Sequence, residues 1–187
     1  MDDIVKAALK KWPNVPDCYG WLALDARGDW YMRDDRTQEA GPFPQVKGSR
    51  INHDKLKEFI HRNYEHDAQG AWFFQNGPQR VYLELEAAPF VWGVRKLGEG
   101  AQAQFALESH TGRPVDAVKS AWLDEHGRLF LDTSLGFGVV RSMDMDAAAD
   151  AVIAGVWQPE ELLFADMPGR FAYSLKPHPH PHPTLLT

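Results

Sequence analysis

A single cysteine, Cys18, is all the thiol chemistry in this 187-residue chain. That excludes an intramolecular disulfide and fits a reducing compartment. No flanking cation favours a thiolate at Cys18, so it reads as a small side chain at a strand entrance. Long apolar runs are also lacking. None approaches the roughly 18 residues of a membrane span, and Met1–Trp12 has neither the apolar core nor the cleavage site of a signal peptide. Positive charge is in deficit. Twenty Lys and Arg stand against 26 Asp and Glu, a net charge of −6. Such a chain has no general attraction to a DNA duplex or an anionic membrane. A local basic patch can still hold a nucleotide-sized anion. These absences point to a soluble cytoplasmic protein and leave its oligomeric state open.

Catalytic signatures are missing too. There is no Gly-x-Ser-x-Gly, no P-loop and no His-Glu-x-x-His. Gly136-Phe137-Gly138 continues as Val139-Val140-Arg141 without the third glycine of a dinucleotide fingerprint, and reads as a strand bend. No cofactor is implied, and the reading leans away from an enzyme.

What is present is core-forming material. Apolar residues make up 44% of the chain, with seven Trp, ten Phe and five Tyr, enough aromatic area for a real core. The densest stretch is Ala71–Val94. It opens with Trp72-Phe73-Phe74, turns at Asn76-Gly77-Pro78, runs on through Val81 and Leu85, and resumes after Pro89 as Phe90-Val91-Trp92. Branched and aromatic residues between turn residues predict three central strands of one sheet.

Around it, Asp2–Lys11 predicts a helix docked on a sheet edge, acids first and lysines last as the helix dipole prefers. Tyr19–Arg33 predicts a hairpin turning at Asp25-Ala26-Arg27-Gly28. Asp34–Ser49, rich in Gly and Pro, reads as a loop. Asn52 or His53 caps a helix to about Tyr64, with His61 and Arg62 at its surface. Ala103–Leu107, Val118–Leu123 and Arg128–Asp132 read as strands, the last two joined at Asp124-Glu125-His126-Gly127. Gly98-Glu99-Gly100 reads as a turn. A helix runs from Asp144 or Asp146 to about Ala154, stopped by Gly155. Gln158-Pro159-Glu160-Glu161 predicts a helical turn, and Phe171–Leu175 a last strand. The whole is α+β with a mostly antiparallel sheet in two small lobes. Residues 1–70 form the first lobe, 71–175 the central strands and second lobe, and 176–187 a disordered Pro/His tail.

One pattern recurs. Leu24-Asp25-Ala26-Arg27-Gly28 and Leu123-Asp124-Glu125-His126-Gly127 share Leu, Asp and Gly, and large apolar residues follow each. Duplication and independent turn chemistry both account for it.

The motif order resembles uncharacterised proteobacterial families labelled only as domains of unknown function, notably the one numbered 1285. The matching residues are Asp67-Ala68-Gln69-Gly70-Ala71-Trp72-Phe73-Phe74, Gly77-Pro78-Gln79-Arg80-Val81, Leu85-Glu86-Ala87-Ala88-Pro89-Phe90 and Gly138-Val139-Val140-Arg141. The opening Met1–Gly20 resembles a sister family. The resemblance implies a duplicated two-domain core, a second half similar to a pleckstrin-homology barrel, and a ligand, nucleotide-like, at the junction with a role in signalling. Val115–Asp124 departs from the pattern by lacking its His-Pro-Leu segment.

Functional candidates are few. Asn76, Gln79, Arg80, Arg95 and Arg141 lie beside the central strands, where planar guanidinium forks can bind carboxylate or phosphate. The alternative is Arg–Glu pairing between the halves. Trp72 and Trp92 would supply stacking faces. Glu84 and Glu86, two apart, share a strand face and read as solvated. His178, His180 and His182 alternate with Pro on a polyproline II path that splays them, so they offer at most weak metal binding. The expected function is non-catalytic binding of a small anionic ligand at the lobe junction. The alternative is a scaffolding protein with exposed Phe43, Trp157 and Phe164 as its partner surface.

Overall fold

The computed structural model describes residues 1–98, 100 and 103–179. In chain order the first lobe holds α1 (Asp3–Lys11), β1 (Cys18–Leu24), β2 (Trp30–Met32), α2 (Asp35–Ala40), β3 (Ser49–Arg50), α3 (Asp54–Arg62), β4 (Tyr64–His66), β5 (Trp72–Asn76) and β6 (Gln79–Leu85). The second holds β7 (Phe90–Leu97), β8 (Gln104–Ser109), β9 (Val118–Leu123), β10 (Leu129–Thr133), β11 (Phe137–Val140), α4 (Met145–Ile153), β12 (Pro159–Glu161) and α5 (Met167–Arg170). Each lobe is built on a six-stranded sheet, ordered β3-β2-β1-β6-β5-β4 and β12-β9-β10-β11-β7-β8. Most pairings are antiparallel; β1 with β6, β11 with β7 and β12 with β9 are parallel. The α+β reading holds. No described helix is long and apolar enough to cross a membrane.

The aromatic stretch divides between the sheets. Its first two strands, β5 and β6, pair with each other in the first sheet, while β7 belongs to the second. Residues 86–89 are the crossing. Local β chemistry specifies a strand but not its sheet. Membership is set by distant pairings, Leu83 with Leu22 and Val91 with Val139.

The Leu-Asp-x-x-Gly pattern marks a repeated unit. Leu24 pairs with Trp30 and Ala23 with Tyr31; 99 residues on, Leu123 pairs with Leu129 and Trp122 with Phe130. A third strand extends each hairpin (β3, β11), a helix follows (α3, α4), and a later strand returns parallel to the hairpin's first strand (β6, β12). The backbone N–H groups of Glu86 and Leu162 donate equivalently, to the Leu24 and Leu123 carbonyls, both at 3.0 Å. The first unit carries α2 as an insert.

Between the sheets lies a shared core, with Leu24, Trp30 and Leu83 meeting Val91, Trp122, Phe130 and Val139. Alternation sends Leu129 and Leu131 to the opposite face, against α4 residues Ala148 and Ala151 and Trp157. The second sheet is thus covered on both faces, which explains its near-continuous apolar strands. Each such side chain contributes roughly 1.5–3 kcal/mol of burial.

Several elements differ from expectation. The Asp34–Ser49 segment contains α2, capped by Asp34, whose Oδ1 accepts from the Thr37 N–H at 2.9 Å. Pro159–Glu161 is the edge strand β12, not a helical turn; an edge tolerates the missing proline N–H. Phe171–Leu175 is not a strand. Its aromatic residues pack on Phe137, with Phe171 stacked at 3.7 Å, and the Leu175 carbonyl accepts from Leu85 N–H at 2.8 Å. Helix α1 buries only Val5, leaving Ile4 76% and Trp12 51% exposed. It is anchored through Asp2, whose N–H donates to Asn63 Oδ1 at 2.8 Å. Glu99, within the expected 98–100 turn, and tail residues His180 and His182 lie outside the described residues.

Candidate functional site

The predicted site residues do not converge. Asn76 and Gln79 pair at the β5–β6 turn, and Gln79 Nε2 donates to the Pro16 carbonyl at 3.0 Å. Arg80 lies on the outer face of the first sheet, 4.7 Å over the Phe73 ring and 3.5 Å from the Tyr82 hydroxyl. Trp72 is half-buried against Tyr64 and Phe90. Trp92 is fully buried, with Nε1 donating to the Leu131 carbonyl at 3.2 Å, so it offers no stacking face. Arg95 and Arg141 alone share a cavity. Strand alternation put all of these beside the central strands but could not tell which face each strand turned outward.

The carboxylate reading also changes. Glu84, on β6, and Glu86, just past its end, are both engaged by residues that flank α2. Glu84 is buried and paired with buried Arg33. Glu86 Oε2 accepts from Lys47 Nζ at 3.2 Å. His61 is not a free surface residue either, since its Nε2 accepts from Trp30 Nε1 at 3.0 Å. Of the expected partner surface, Trp157 is buried and Phe43 and Phe164 are half-buried. Cys18 opens β1 half-buried, and burial pushes its thiol up, against thiolate character.

A crevice lined by charged residues lies at the junction, built from the two repeated turns. Asp25 Oδ1 accepts from the N–H groups of Arg27 and Asp29, each at 2.9 Å, and Oδ2 accepts from Lys47 Nζ at 2.9 Å. Burial pushes the Asp25 carboxyl up, but the Lys47 bond and the two backbone donors outweigh it and hold it below the usual range. Burial likewise opposes the Lys47 charge, yet Asp25 and Glu86 hold its ammonium above the usual lysine value. In the second turn Asp124 Oδ1 accepts from His126 and Arg128 N–H at 3.0 and 2.7 Å, and Oδ2 from Arg128 Nε at 2.6 Å. The Arg128 guanidinium lies 4.3 Å over Phe164.

Both turns line one cavity of about 370 Å³. Arg27, Lys47, Glu86, His126 and Arg128 give it polar walls, and Val139, Val140 and Met145 an apolar one. The Arg27 guanidinium has no hydrogen-bond or ion-pair partner among the described residues. Arg27 was legible as a turn residue and Arg128 as the first residue of a return strand. Their convergence was not, and Lys47 lay in what read as a loop. A larger cavity of about 440 Å³ between β8, β9 and Trp157 brings together only Asp116 and Lys119 as charged groups. No described cluster of three His, Cys, Asp or Glu is placed to hold a metal.

These features define a two-lobed α+β protein with a charged crevice where repeated hairpin turns meet. The chain belongs to the DUF2944 family, described as "Protein of unknown function (DUF2946)", whose sequence pattern matches residues 1–177. A crystal structure of a DUF1285 family protein from Silicibacter pomeroyi DSS-3 is similar, with a TM-score of 0.51 at 14% identity over 80% of this chain and 84% of that one. A DUF1285 family protein from Shewanella baltica OS155 gives a TM-score of 0.46 at 14% identity over 70% of this chain and 91% of that one. The first likeness is one of fold alone. No curated protein matches.

Proposed function

We propose that this protein binds a small anion, without catalysis, in the junction crevice. The observation that carries the reading is the unpartnered Arg27 guanidinium in a cavity whose other cations, Lys47 and Arg128, are held in place by Asp25, Glu86 and Asp124. Fixed cations need little reorganisation on binding, and a guanidinium fork suits a carboxylate or phosphate. The apolar wall of Val139, Val140 and Met145 favours a ligand with an apolar body and one acidic end, such as an organic acid. Because both lobes line the crevice, a ligand there would stiffen their junction.

A thermal-shift screen of organic acids and nucleotides tests this. A ligand at 100 times its Kd adds about 2.7 kcal/mol, a rise of several degrees for a chain this size. Arg27→Gln should abolish the rise. An equal rise in wild type and Arg27→Gln, or none at millimolar ligand, contradicts the reading.

A second reading, a protein-interaction role, is favoured by exposed Met143, Ile153, Val156 and Leu163 on the second lobe. Concentration-dependent mass lost in Ile153→Glu would support it.

A further inference from the structure

We propose that the second lobe carries a separate site for a small oxyanion, carboxylate or phosphate, held by the Arg141 guanidinium above the bare backbone of Gly93, with Arg95 as second cation. Sheet register assembles it. The Arg141 N–H donates to the Trp92 carbonyl at 3.0 Å, placing Arg141 beside Gly93, which pairs with Glu108 on β8. Arg95 follows two residues later on the same face of β7. The resulting cavity is about 260 Å³, room for one headgroup, and shares no lining residue with the junction crevice.

The arginine is oriented before any ligand arrives. Asp144 Oδ2 accepts from Arg141 Nε at 2.9 Å and Nη2 at 2.6 Å. That carboxylate is itself fixed by the Val94 N–H at 3.0 Å. One edge of the planar fork is therefore engaged, while Nη1 has no partner among the described residues. The side chain keeps 35% of its exposure. A guanidinium anchored on one edge and open on the other can accept an oxyanion with little loss of rotamer freedom.

Gly93 supplies the room. A Cβ there would lie 2.6 Å from Arg141 Nη2. Its backbone is not in the left-handed region that favours glycine, so the glycine answers a need for space and not for conformation. Arg95 is 73% exposed and only 4.0 Å from Glu108, a loose pair that leaves it free to turn toward a ligand. Arg141 and Arg95 are each set against one carboxylate, Asp144 and Glu108, and the open Nη1 edge of Arg141 and the loosely held Arg95 are the donors left for a ligand.

The test is titration of the ¹⁵N-labelled full chain with inorganic phosphate and, separately, acetate. Saturable shifts of the Gly93, Arg95 and Ser109 amides and of Arg141 Nε are expected for at least one anion, and which anion acts identifies the source. Arg141→Gln should weaken binding about tenfold or more, the scale of a charged hydrogen bond. Gly93→Ala should do likewise, because its Cβ pushes the Arg141 guanidinium off its Asp144 anchor, and the fold should persist because the atoms it meets are the end of a side chain and not backbone. Arg80→Gln, which removes a charge elsewhere, should leave binding unchanged. No saturable shift with either anion overturns the proposal. So does binding unaltered in Gly93→Ala and Arg141→Gln, or weakened equally by Arg80→Gln.

Discussion

Nδ1 of His110 accepts a hydrogen bond from the Val91 N–H at 3.2 Å, while the His110 N–H donates to the Val91 carbonyl at 2.8 Å. An accepting Nδ1 places the ring proton on Nε2, which is buried without a partner. The ring sits among Trp30, Tyr64 and His61 of the first lobe and Phe90 of the second. Burial pushes its pKa down to about 3, and the neighbouring His61 adds to the effect. His61 is itself lowered, chiefly by burial and then by Lys57.

Acid sensitivity follows. Both groups have folded pKa values below the unfolded value of about 6.5. Their neutral forms are favoured in the fold, so the stability they contribute is complete above about pH 6.5 and is lost as pH falls toward 3. Urea unfolding between pH 7 and 4.5 should lose up to about 1.4 kcal/mol per pH unit from His110 alone once the unfolded histidine is protonated. His110→Phe should flatten part of that slope. An unchanged slope would show that the ring does not carry it.

Arg33 and Glu84 form a buried pair, with Arg33 also donating to the Gly41 carbonyl at 2.7 Å and the Val46 carbonyl at 3.3 Å. Lys176 lies 3.5 Å from the second Glu84 oxygen. Glu84→Ala should cost about 3–5 kcal/mol, since it strands a buried guanidinium. The joint replacement Arg33→Met with Glu84→Leu should recover most of the loss. Equilibrium denaturation reads both, and equal losses in the single and double variants would contradict this account.

Gly70 holds the closing segment. Its φ is +79°, and a Cβ would fall 2.0 Å from the Ala172 carbonyl oxygen. Its own carbonyl accepts from Ser174 N–H at 3.1 Å. Gly70→Ala forces the backbone apart and should cost about 1–3 kcal/mol. Limited proteolysis should then cut near Phe171–Leu175 first. Unchanged protection there would mean that the segment is held by its aromatic packing alone.

Tyr173 donates its hydroxyl to the Ala87 carbonyl at 2.9 Å, tying that segment to the crossing between lobes. Tyr173→Phe should cost about 1–3 kcal/mol by leaving a buried carbonyl unpaired. Thermal unfolding reads it, and a melting temperature equal to the wild type's would refute it.

By itself the sequence determined the elements whose hydrogen bonds close within a few residues. Asp25 and Asp124 bond the N–H groups two and four residues on, and those turns, their hairpins and helices α1, α3 and α4 were legible for that reason. Tertiary structure alone decided which cations meet. Arg80 and Arg27 look alike in sequence, yet one lies on an outer sheet face and the other enters the junction. It also decided that Glu84 is buried, because Arg33 reaches it across 51 residues. Such pairings depend on how whole sheets stack and twist, and neither periodicity nor turn chemistry encodes that over a local window.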